Sequence, residues 1–218
     1  MNTKITAHSG CEHSSPNSIQ HIKNALECNA DFIEVDVRMH NGKFILSHDK
    51  PDCPDSLTLG DLLEMCKQST IGFNLDLKED DLEKRIVDYL CSMGMQNRVV
   101  LTGSVNPNFV ASLRNHVRVS LNVEQIFPDI YKQKNLNFLQ GSVLDELFAQ
   151  LEQYQVDSLN LCYLFWNDSL HQAAIEHHVS LSLWTVDDAE QLERLLRTNP
   201  WNITTRFPKQ ALQLLQSI

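Results

Sequence analysis

The sequence lacks the features that mark membrane and secreted proteins. No stretch approaches the roughly 20 apolar residues that span a bilayer, and the N-terminal residues MNTKITAH contain no apolar segment typical of a signal peptide. The six cysteines are scattered and include no CxxC pair. We therefore expect a soluble, cytoplasmic chain with reduced cysteines and no stable membrane insertion.

An excess of basic residues is also missing. The chain has 18 Lys and Arg against 28 Asp and Glu, a formal charge of −10, without long blocks of one sign, which disfavours nucleic acid as a partner. It also lacks an evident linker, repeat or low-complexity segment. With 218 residues, 42% of them hydrophobic, it is long enough to bury a core without disulfides or structural metals. One domain over residues 1–218 is predicted.

Apolar residues alternate between short runs of period two and longer runs of helical period. The predicted strands are 4–8, 32–38, 43–48, 72–78, 98–102, 117–123, 157–163, 180–186 and 202–206. The predicted helices are 18–28, 58–67, 80–93, 108–116, 143–154, 168–177, 189–197 and 209–218. With the 43–48 run taken as an addition after the second strand, eight strands alternate with eight helices, which predicts a closed (β/α)8 (TIM) barrel.

Polar side chains recur at alternate positions within the predicted strands. Glu34 and Asp36, for example, are separated and flanked by apolar Ile33, Val35 and Val37. In a barrel the apolar set faces the helices and the polar set faces the interior, so the polar residues are expected to lead to a site at the C-terminal mouth. An antiparallel sheet with one wet face would produce the same alternation, but the intervening helices favour the barrel.

Two imidazoles and two carboxylates fall on the first three β segments: His8, Glu34, Asp36 and His48. Glu34 and Asp36 are two residues apart, so a strand aims both carboxylates at one face, where they repel unless a positive charge lies between them. Such a set of residues is suited to holding a metal ion and moving protons.

The chain resembles the glycerophosphodiester phosphodiesterase family, part of the phospholipase C-like phosphodiesterase barrels. Family members begin with a strand ending in His-Arg-Gly, followed by Pro-Glu-Asn-Thr, Gly-Ala-Asp-x-x-Glu-x-Asp-Val, a His-Asp pair after a short hairpin, and Glu-x-Lys. The corresponding stretches here, in the same order, are Ala7-His8-Ser9-Gly10, Pro16-Asn17-Ser18, Asn29-Ala30-Asp31-Phe32-Ile33-Glu34-Val35-Asp36-Val37, Ser47-His48-Asp49, Asn74-Leu75-Asp76-Leu77-Lys78, Trp184-Thr185-Val186-Asp187 and Thr205-Arg206-Phe207-Pro208.

The resemblance implies an enzyme that hydrolyses small glycerophosphodiesters to glycerol 3-phosphate and an alcohol. It implies that Glu34, Asp36 and Asp76 ligate one divalent cation, and oxygen-only ligands favour Mg²⁺ or Ca²⁺. It further implies that His8 and His48 are the general acid and base.

Two further residues are implied to contact the substrate. Lys78 matches the family lysine that contacts the phosphate, and Trp184 matches an aromatic residue that can wall the substrate pocket, although a core tryptophan gives the same pattern.

The family pattern is broken at three places. The Arg that follows the first His is Ser9 here, the Glu of Pro-Glu-Asn-Thr is absent, and the usual Thr-Asp-x-Pro near the C-terminus is Thr-Arg-Phe-Pro. Because strands one and eight are neighbours in a closed barrel, our hypothesis is that Arg206 supplies the cation lost at position 9. The short segment of residues 50–57 predicts an open site with weak selection of the alcohol.

Three alternative functions are compatible with the sequence. Asp76, where relatives usually have Glu, is also similar to sphingomyelinase D-type phospholipases, which can close a cyclic phosphate instead of hydrolysing. The missing Arg is compatible with a binding protein that has lost catalysis. Lys78 is compatible with a Schiff-base aldolase, although carboxylates beside it favour its charged form.

Overall fold

Strands and helices alternate along the chain in the computed structural model, which describes residues 3–50 and 56–218. The strands are β1 (Lys4–Ala7), β2 (Phe32–His40), β3 (Lys43–Leu46), β4 (Gly72–Leu77), β5 (Val99–Gly103), β6 (Arg118–Val119), β7 (Leu121–Asn122), β8 (Ser158–Cys162), β9 (Ser180–Trp184) and β10 (Asn202–Thr205). The α-helices are α1 (Ile19–Cys28), α2 (Leu59–Met65), α3 (Glu83–Ser92), α4 (Pro107–Leu113), α5 (Ser142–Gln153), α6 (Asp168–Glu176), α7 (Ala189–Leu196) and α8 (Pro208–Ser217).

All strands except β3 form a parallel sheet that curls into a barrel. Neighbouring strands follow the order β6-β5-β4-β2-β1-β10-β9-β8-β7. The two outer strands, β6 and β7, are separated by one residue, Ser120, so both edges of the sheet belong to one stretch of chain. The Ser120 N–H donates to the Leu101 carbonyl of β5 at 3.0 Å. The predicted (β/α)8 barrel is confirmed, with one of its eight barrel strands interrupted.

Strand β3 forms an antiparallel hairpin with β2 outside the ring of barrel strands. Val37 pairs with Leu46, and the pairing runs to His40 and Lys43 at the turn. The 43–48 run was expected to be a strand throughout, but the strand ends at Leu46, and the Ser47 N–H donates to the Asp36 carbonyl at 3.0 Å. The chain therefore turns toward the barrel just before His48.

The side chains alternate across the barrel wall as the sequence predicts. Ile33, Val35 and Val37 of β2 are fully buried in the apolar layer between the sheet and the helices. Glu34 and Asp36 take the opposite face, because successive residues of a strand point to opposite sides. The two carboxylates are therefore carried inside the barrel.

Polar side chains bonded to one another fill much of the barrel interior. Five side-chain hydrogen bonds cross between strands here, and they join Thr6 to Asn202 (2.7 Å), Asn202 to Ser182 (3.0 Å), Ser120 to Ser158 (2.9 Å), Asn160 to Asn122 (2.8 Å) and Thr102 to Asn74 (2.9 Å). All of these side chains are buried. Buried polar groups of this kind need partners, so each bond fixes the register of two strands.

The strand predicted over 117–123 ends earlier than expected. Val123–Gln125 forms a 3-10 turn, which ends the strand at Asn122 and contains Glu124. Asn122 stabilises this break, because its amide N–H donates to Glu124 Oε1 at 2.7 Å and its amide oxygen accepts from the Gly103 N–H at 3.1 Å. Glu124 is thereby placed at the rim of the barrel rather than within its wall.

Within the described ranges, no helix has the length and apolar character needed to cross a bilayer. The expectation of an open site depended on the short segment 50–57, and residues 51–55 of it lie outside the described residues.

Helix α1 buries a histidine behind β1. The helix begins after Ser18, whose hydroxyl accepts from the His21 N–H at 3.1 Å, an N-cap that places His21 on the inner face. The His21 side chain is fully buried, and neither ring nitrogen has a hydrogen-bond partner in the described part of the chain. Burial lowers the pKa of His21 to about 4.

The buried His21 predicts that acid destabilises the fold. Between its ordinary pKa and about 4 the unfolded chain binds a proton that the native chain does not, so stability falls as pH falls through this window. At pH 5 this contribution amounts to about 2 kcal/mol relative to pH 7. Urea unfolding at pH 7 and pH 5 should show that His21→Leu reduces the loss of stability by this amount. His116→Leu, on the surface, is the control; equal pH dependence in both variants would contradict the assignment.

Candidate active site

A cavity of about 690 Å³ opens at the C-terminal ends of the barrel strands, where (β/α)8 barrels carry their sites. All eight residues that the sequence predicted for the site line it: His8, Glu34, Asp36, His48, Asp76, Lys78, Trp184 and Arg206. They come from β2, β4 and β9 or from the loops that follow β1, β3, β4 and β10. The structure therefore brings together residues that are up to about 200 positions apart in the chain.

Three carboxylates form the acidic centre of this cavity. Asp36 of β2 and Asp76 of β4 are direct partners in the parallel pairing of the two strands. Glu34 precedes Asp36 by two residues and therefore lies on the same face of β2. Each of the three offers an oxygen within 4.8 Å of the oxygens offered by the other two. Glu34 and Asp36 are buried, and Asp76 is nearly so.

Burial and mutual repulsion act on the pKa values of these carboxyl groups. Burial, followed by the charges of Asp36 and Asp76, holds the pKa of Glu34 well above its usual value. Burial also raises the pKa of Asp76, and Lys78 opposes this effect. Ionising all three carboxyl groups together is therefore costly unless positive charge is brought to the cluster.

Lys78 supplies the positive charge within the cluster. Its ammonium lies 2.6 Å from Asp76 Oδ2 and 2.9 Å from Asp36 Oδ1. Burial alone would lower the pKa of Lys78, but the two carboxylates outweigh it, and the net effect is a pKa above the usual value. Lys78 is therefore charged at neutral pH and bridges the two strands that carry the carboxylates.

The donor set fits a divalent cation. Asp76 Oδ1 is buried and has no hydrogen-bond partner among the residues that the structure describes. A cation held by Glu34, Asp36 and Asp76 would satisfy this oxygen and neutralise the charge that Lys78 leaves. The three carboxylates could thus hold a metal ion, and only oxygen ligands are involved.

Gly103, which the sequence analysis missed, makes room for Asp76. It ends β5 with φ +80°, and a Cβ at this position would lie 2.1 Å from Asp76 Oδ1 and 2.3 Å from the Leu77 carbonyl oxygen. No other residue type leaves that space. A glycine at the end of a strand is the signal in the sequence that could have pointed to it.

Asn17, in the Pro16-Asn17-Ser18 stretch, holds Asp36 directly. Its amide N–H donates to Asp36 Oδ2 at 2.8 Å, and its amide oxygen accepts from the Asp36 backbone N–H at 3.0 Å. Asn17 has φ +52°, a conformation that Asn tolerates better than most residues. This paired contact fixes the carboxylate of Asp36 from the loop between β1 and α1.

Ser9, which stands where the family has Arg, is a buried loop residue. Its backbone N–H donates to Glu34 Oε2, and its hydroxyl accepts from the Asn17 N–H at 3.1 Å. The side chain is therefore used to shape the loop that carries Asn17, and the position offers no positive charge to a ligand.

The two histidines differ in their surroundings. His8 is half-buried, with Nδ1 2.7 Å from the Ser9 carbonyl oxygen, and burial lowers its pKa below the ordinary value. His48 has a side chain 67% exposed, and its Nδ1 lies 2.9 Å from a carboxylate oxygen of Asp49. In each ring one nitrogen is engaged, which leaves Nε2 for another partner.

Arg206 lies on the rim of the cavity in an ion pair. Its guanidinium lies 2.6 Å from Asp187 Oδ2, with the Arg side chain 48% exposed. The same carboxylate accepts from the Arg206 backbone N–H at 2.8 Å. Arg206 and Ser9 both line this cavity, as the barrel closure predicted.

We expect that Asn17→Gly weakens cation binding at the cluster by about 10- to 100-fold, since it removes two hydrogen bonds to Asp36, one of them to the charged carboxylate. Glycine adopts the positive φ freely, so the substitution adds no backbone strain. Titration calorimetry with Mg²⁺ or Ca²⁺ measures the effect. Asn29→Gly at the C-cap of α1, where φ is +57°, is the matched control. Equal affinities in both variants would show that Asn17 does not position the ligand.

The chain is similar in sequence to a protein of known name. No model of a protein family matches the chain. The chain is 24% identical over 244 residues to a protein named glycerophosphodiester phosphodiesterase from Caldanaerobacter subterraneus subsp. tengcongensis, and the match covers 99% of both chains.

Solved structures match the fold over the same extent. A glycerophosphodiester phosphodiesterase from Parabacteroides distasonis has a TM-score of 0.74 at 19% identity, covering 99% of this chain and 98% of that one. A phosphodiesterase from Oleispira antarctica, solved in complex with the product sn-glycerol-3-phosphate, has a TM-score of 0.77 at 14% identity, covering 99% and 97%. The resemblance seen in the motifs is therefore confirmed: along its whole length the chain is similar to glycerophosphodiester phosphodiesterases in sequence and in fold.

Proposed function

We propose that this protein is a phosphoric diester hydrolase that cleaves small glycerophosphodiesters to glycerol 3-phosphate and an alcohol. The observation that carries the proposal is the convergence, in one cavity, of three carboxylates, a charged lysine and two histidines. The name of the sequence relative and the product bound in the Oleispira antarctica structure support the same reaction.

Glu34, Asp36 and Asp76 hold one divalent cation in this proposal. Carboxylate oxygens without nitrogen or sulfur ligands suit Mg²⁺ or Ca²⁺. When bound, the cation neutralises the non-bridging oxygens of the phosphate as charge develops on them. Asn17 and the Ser9 N–H keep two of the carboxylates oriented for this role.

Lys78 and the histidines provide the remaining chemistry. Lys78 bridges Asp36 and Asp76, and we propose that it contacts the phosphate once a cation takes its place between them. One of His8 and His48 accepts the proton of the attacking water, and the other protonates the leaving alkoxide. The lowered pKa of His8 keeps its ring neutral at pH 7 and able to accept a proton.

The other reactions considered have less support from the geometry. A Schiff-base aldolase requires a neutral lysine, whereas the carboxylates beside Lys78 raise its pKa. A binding protein without catalysis does not need two histidines in the cavity. Cyclic phosphate formation uses the same groups as hydrolysis, so the products must distinguish the two.

The proposed reaction predicts cation-dependent turnover. Glycerophosphocholine, glycerophosphoethanolamine and bis(4-nitrophenyl) phosphate should be cleaved with Mg²⁺, Ca²⁺ or Mn²⁺ and not with chelator. Asp36→Asn and His8→Ala should each lower kcat by about 100-fold or more, while Glu190→Gln on the exposed start of α7 serves as the control. ³¹P NMR of the glycerophosphodiester reactions should show glycerol 3-phosphate as the product. A cyclic phosphate product would show that the enzyme cyclises its substrate instead of hydrolysing it. Binding of substrate without turnover would show that the protein is a non-catalytic binding protein.

Arg206 is proposed to supply the positive charge that Ser9 lacks. Its ion pair with Asp187 is half-exposed, and pairs of this kind contribute only about 0–1 kcal/mol, so the guanidinium can exchange Asp187 for phosphate. Arg206→Ala should raise KM about 10- to 100-fold. Asp187→Asn, which retains the acceptor of the Arg206 N–H but removes the competing charge, should not raise it. Unchanged kcat and KM in Arg206→Ala would refute this role.

A further inference from the structure

Three polar atoms on one side of the cavity have no hydrogen-bond partner within the described ranges. They are Glu124 Oε2, Asn160 Oδ1 and Trp184 Nε1, and all three are buried atoms of residues that line the cavity. Asn160 as a whole is only 6% exposed. Leaving such an atom unsatisfied costs about 1–3 kcal/mol, so a ligand that supplied the missing partners would be favoured.

These residues form a wall apart from the carboxylate cluster. Glu124 follows β7, Asn160 lies on β8 and Trp184 ends β9, and these three strands are consecutive neighbours in the barrel. The carboxylate cluster comes from β2 and β4, and Glu124 does not belong to the group whose oxygens lie within 4.8 Å of one another. The unpaired atoms are therefore not ligands of the proposed cation site.

The other polar atoms of this wall are already fixed. Asn122 donates to Glu124 Oε1 at 2.7 Å and accepts from Asn160 Nδ2 at 2.8 Å, so the free oxygens of both residues have set positions. The Trp184 ring packs against Tyr131 at a centroid distance of 5.6 Å. The Tyr131 side chain also interacts with Glu124, and burial together with this interaction raises the pKa of Tyr131. A preorganised site of this kind binds without the cost of ordering its side chains.

The pattern of free groups matches adjacent hydroxyls. Glu124 Oε2 and Asn160 Oδ1 accept hydrogen bonds, and Trp184 Nε1 donates one. A vicinal diol has two O–H donors and oxygens that accept, so it carries a matching partner for each of the three atoms. A quaternary ammonium has no hydrogen-bond donor for the Asn160 oxygen and no acceptor for the indole N–H, and it would leave both unpaired.

We propose that Glu124, Asn160 and Trp184 form a subsite that binds the two free hydroxyls of the glycerol half of the substrate. The proposal rests on the proposed function, since it assigns one half of a glycerophosphodiester to one wall of the same cavity. The alcohol half then lies toward the opening, where fewer groups contact it. Glu124, Asn160 and Trp184 would thus determine specificity for glycerol, while the cation, Lys78 and Arg206 hold the phosphate.

The test compares two phosphate esters that differ only in the hydroxyls. Dissociation constants for sn-glycerol 3-phosphate and n-propyl phosphate are measured by calorimetry in excess Ca²⁺, for the wild type and for Glu124→Gln. The wild type should prefer glycerol 3-phosphate by about tenfold or more, and Glu124→Gln should reduce that ratio about tenfold, because it weakens a hydrogen bond to a charged acceptor.

A second variant and a control make the test independent of folding defects at one position. Trp184→Phe keeps the aromatic ring but removes the indole N–H, and it should reduce the same ratio. Asp129→Asn removes a carboxylate from the exposed loop after Glu124, and the ratio should stay at the wild-type value.

Several results would overturn the subsite. Equal affinities of the wild type for the two esters would do so, as would an equal loss of both affinities in Glu124→Gln or no binding of either ester. If Glu124→Gln instead lowered the preference for the choline diester over the ethyl diester of glycerol phosphate, these residues would form a pocket for a cationic alcohol. Cleavage of bis(4-nitrophenyl) phosphate, which has no diol, reports separately on the proposed function, so the two proposals can fail independently.

Discussion

The main constraint on the site is the repulsion among three carboxylates that the barrel holds within a few ångströms of one another. Glu34 and Asp36 share one face of β2, and the parallel register places Asp76 beside Asp36. Burial increases the cost of this arrangement, which is why the pKa of Glu34 is raised. Neighbouring groups offset part of the cost: the Lys78 ammonium, the Asn17 amide and the Ser9 N–H. A divalent cation is the charge that would complete the balance.

The polar interior of the barrel keeps these groups in register. Most (β/α)8 barrels fill the interior with branched apolar side chains, whereas this one contains Ser, Thr and Asn residues that bond across neighbouring strands. Hydrogen bonds are directional, so each bond sets the relative position of two strands more strictly than apolar contact does. Asn122 shows the link to the site, because it joins Asn160, Gly103 and Glu124.

The loop after β1 explains how the departures from the family pattern are accommodated. Ser9 is buried and binds the Asn17 backbone, and Asn17 in turn holds Asp36. An arginine at position 9 would lack the hydroxyl that accepts from the Asn17 N–H. The positive charge at this part of the rim is that of Arg206, which pairs with Asp187. The proposed function assigns to Arg206 the role of the charge that position 9 lacks.

Much of the fold was predictable because its signals are local. The period of apolar residues depends only on neighbours in the chain, so it predicted the alternation of strands and helices and the inward face of Glu34 and Asp36. The family motifs, together with this pattern, predicted the eight candidate site residues. The 3-10 turn at Glu124 did not follow, since Asn122 imposes it from a contact with Gly103 on another strand.

The sequence by itself determined which side chains face the barrel interior, because the two-residue period of a strand is a property of the backbone. Only the tertiary structure decided which of them meet. The pairing of Asn17 with Asp36, the space that Gly103 leaves for Asp76 and the unpaired atoms of Glu124, Asn160 and Trp184 all depend on contacts between distant segments. Such contacts arise from the closure of the barrel, which no local pattern in the chain records.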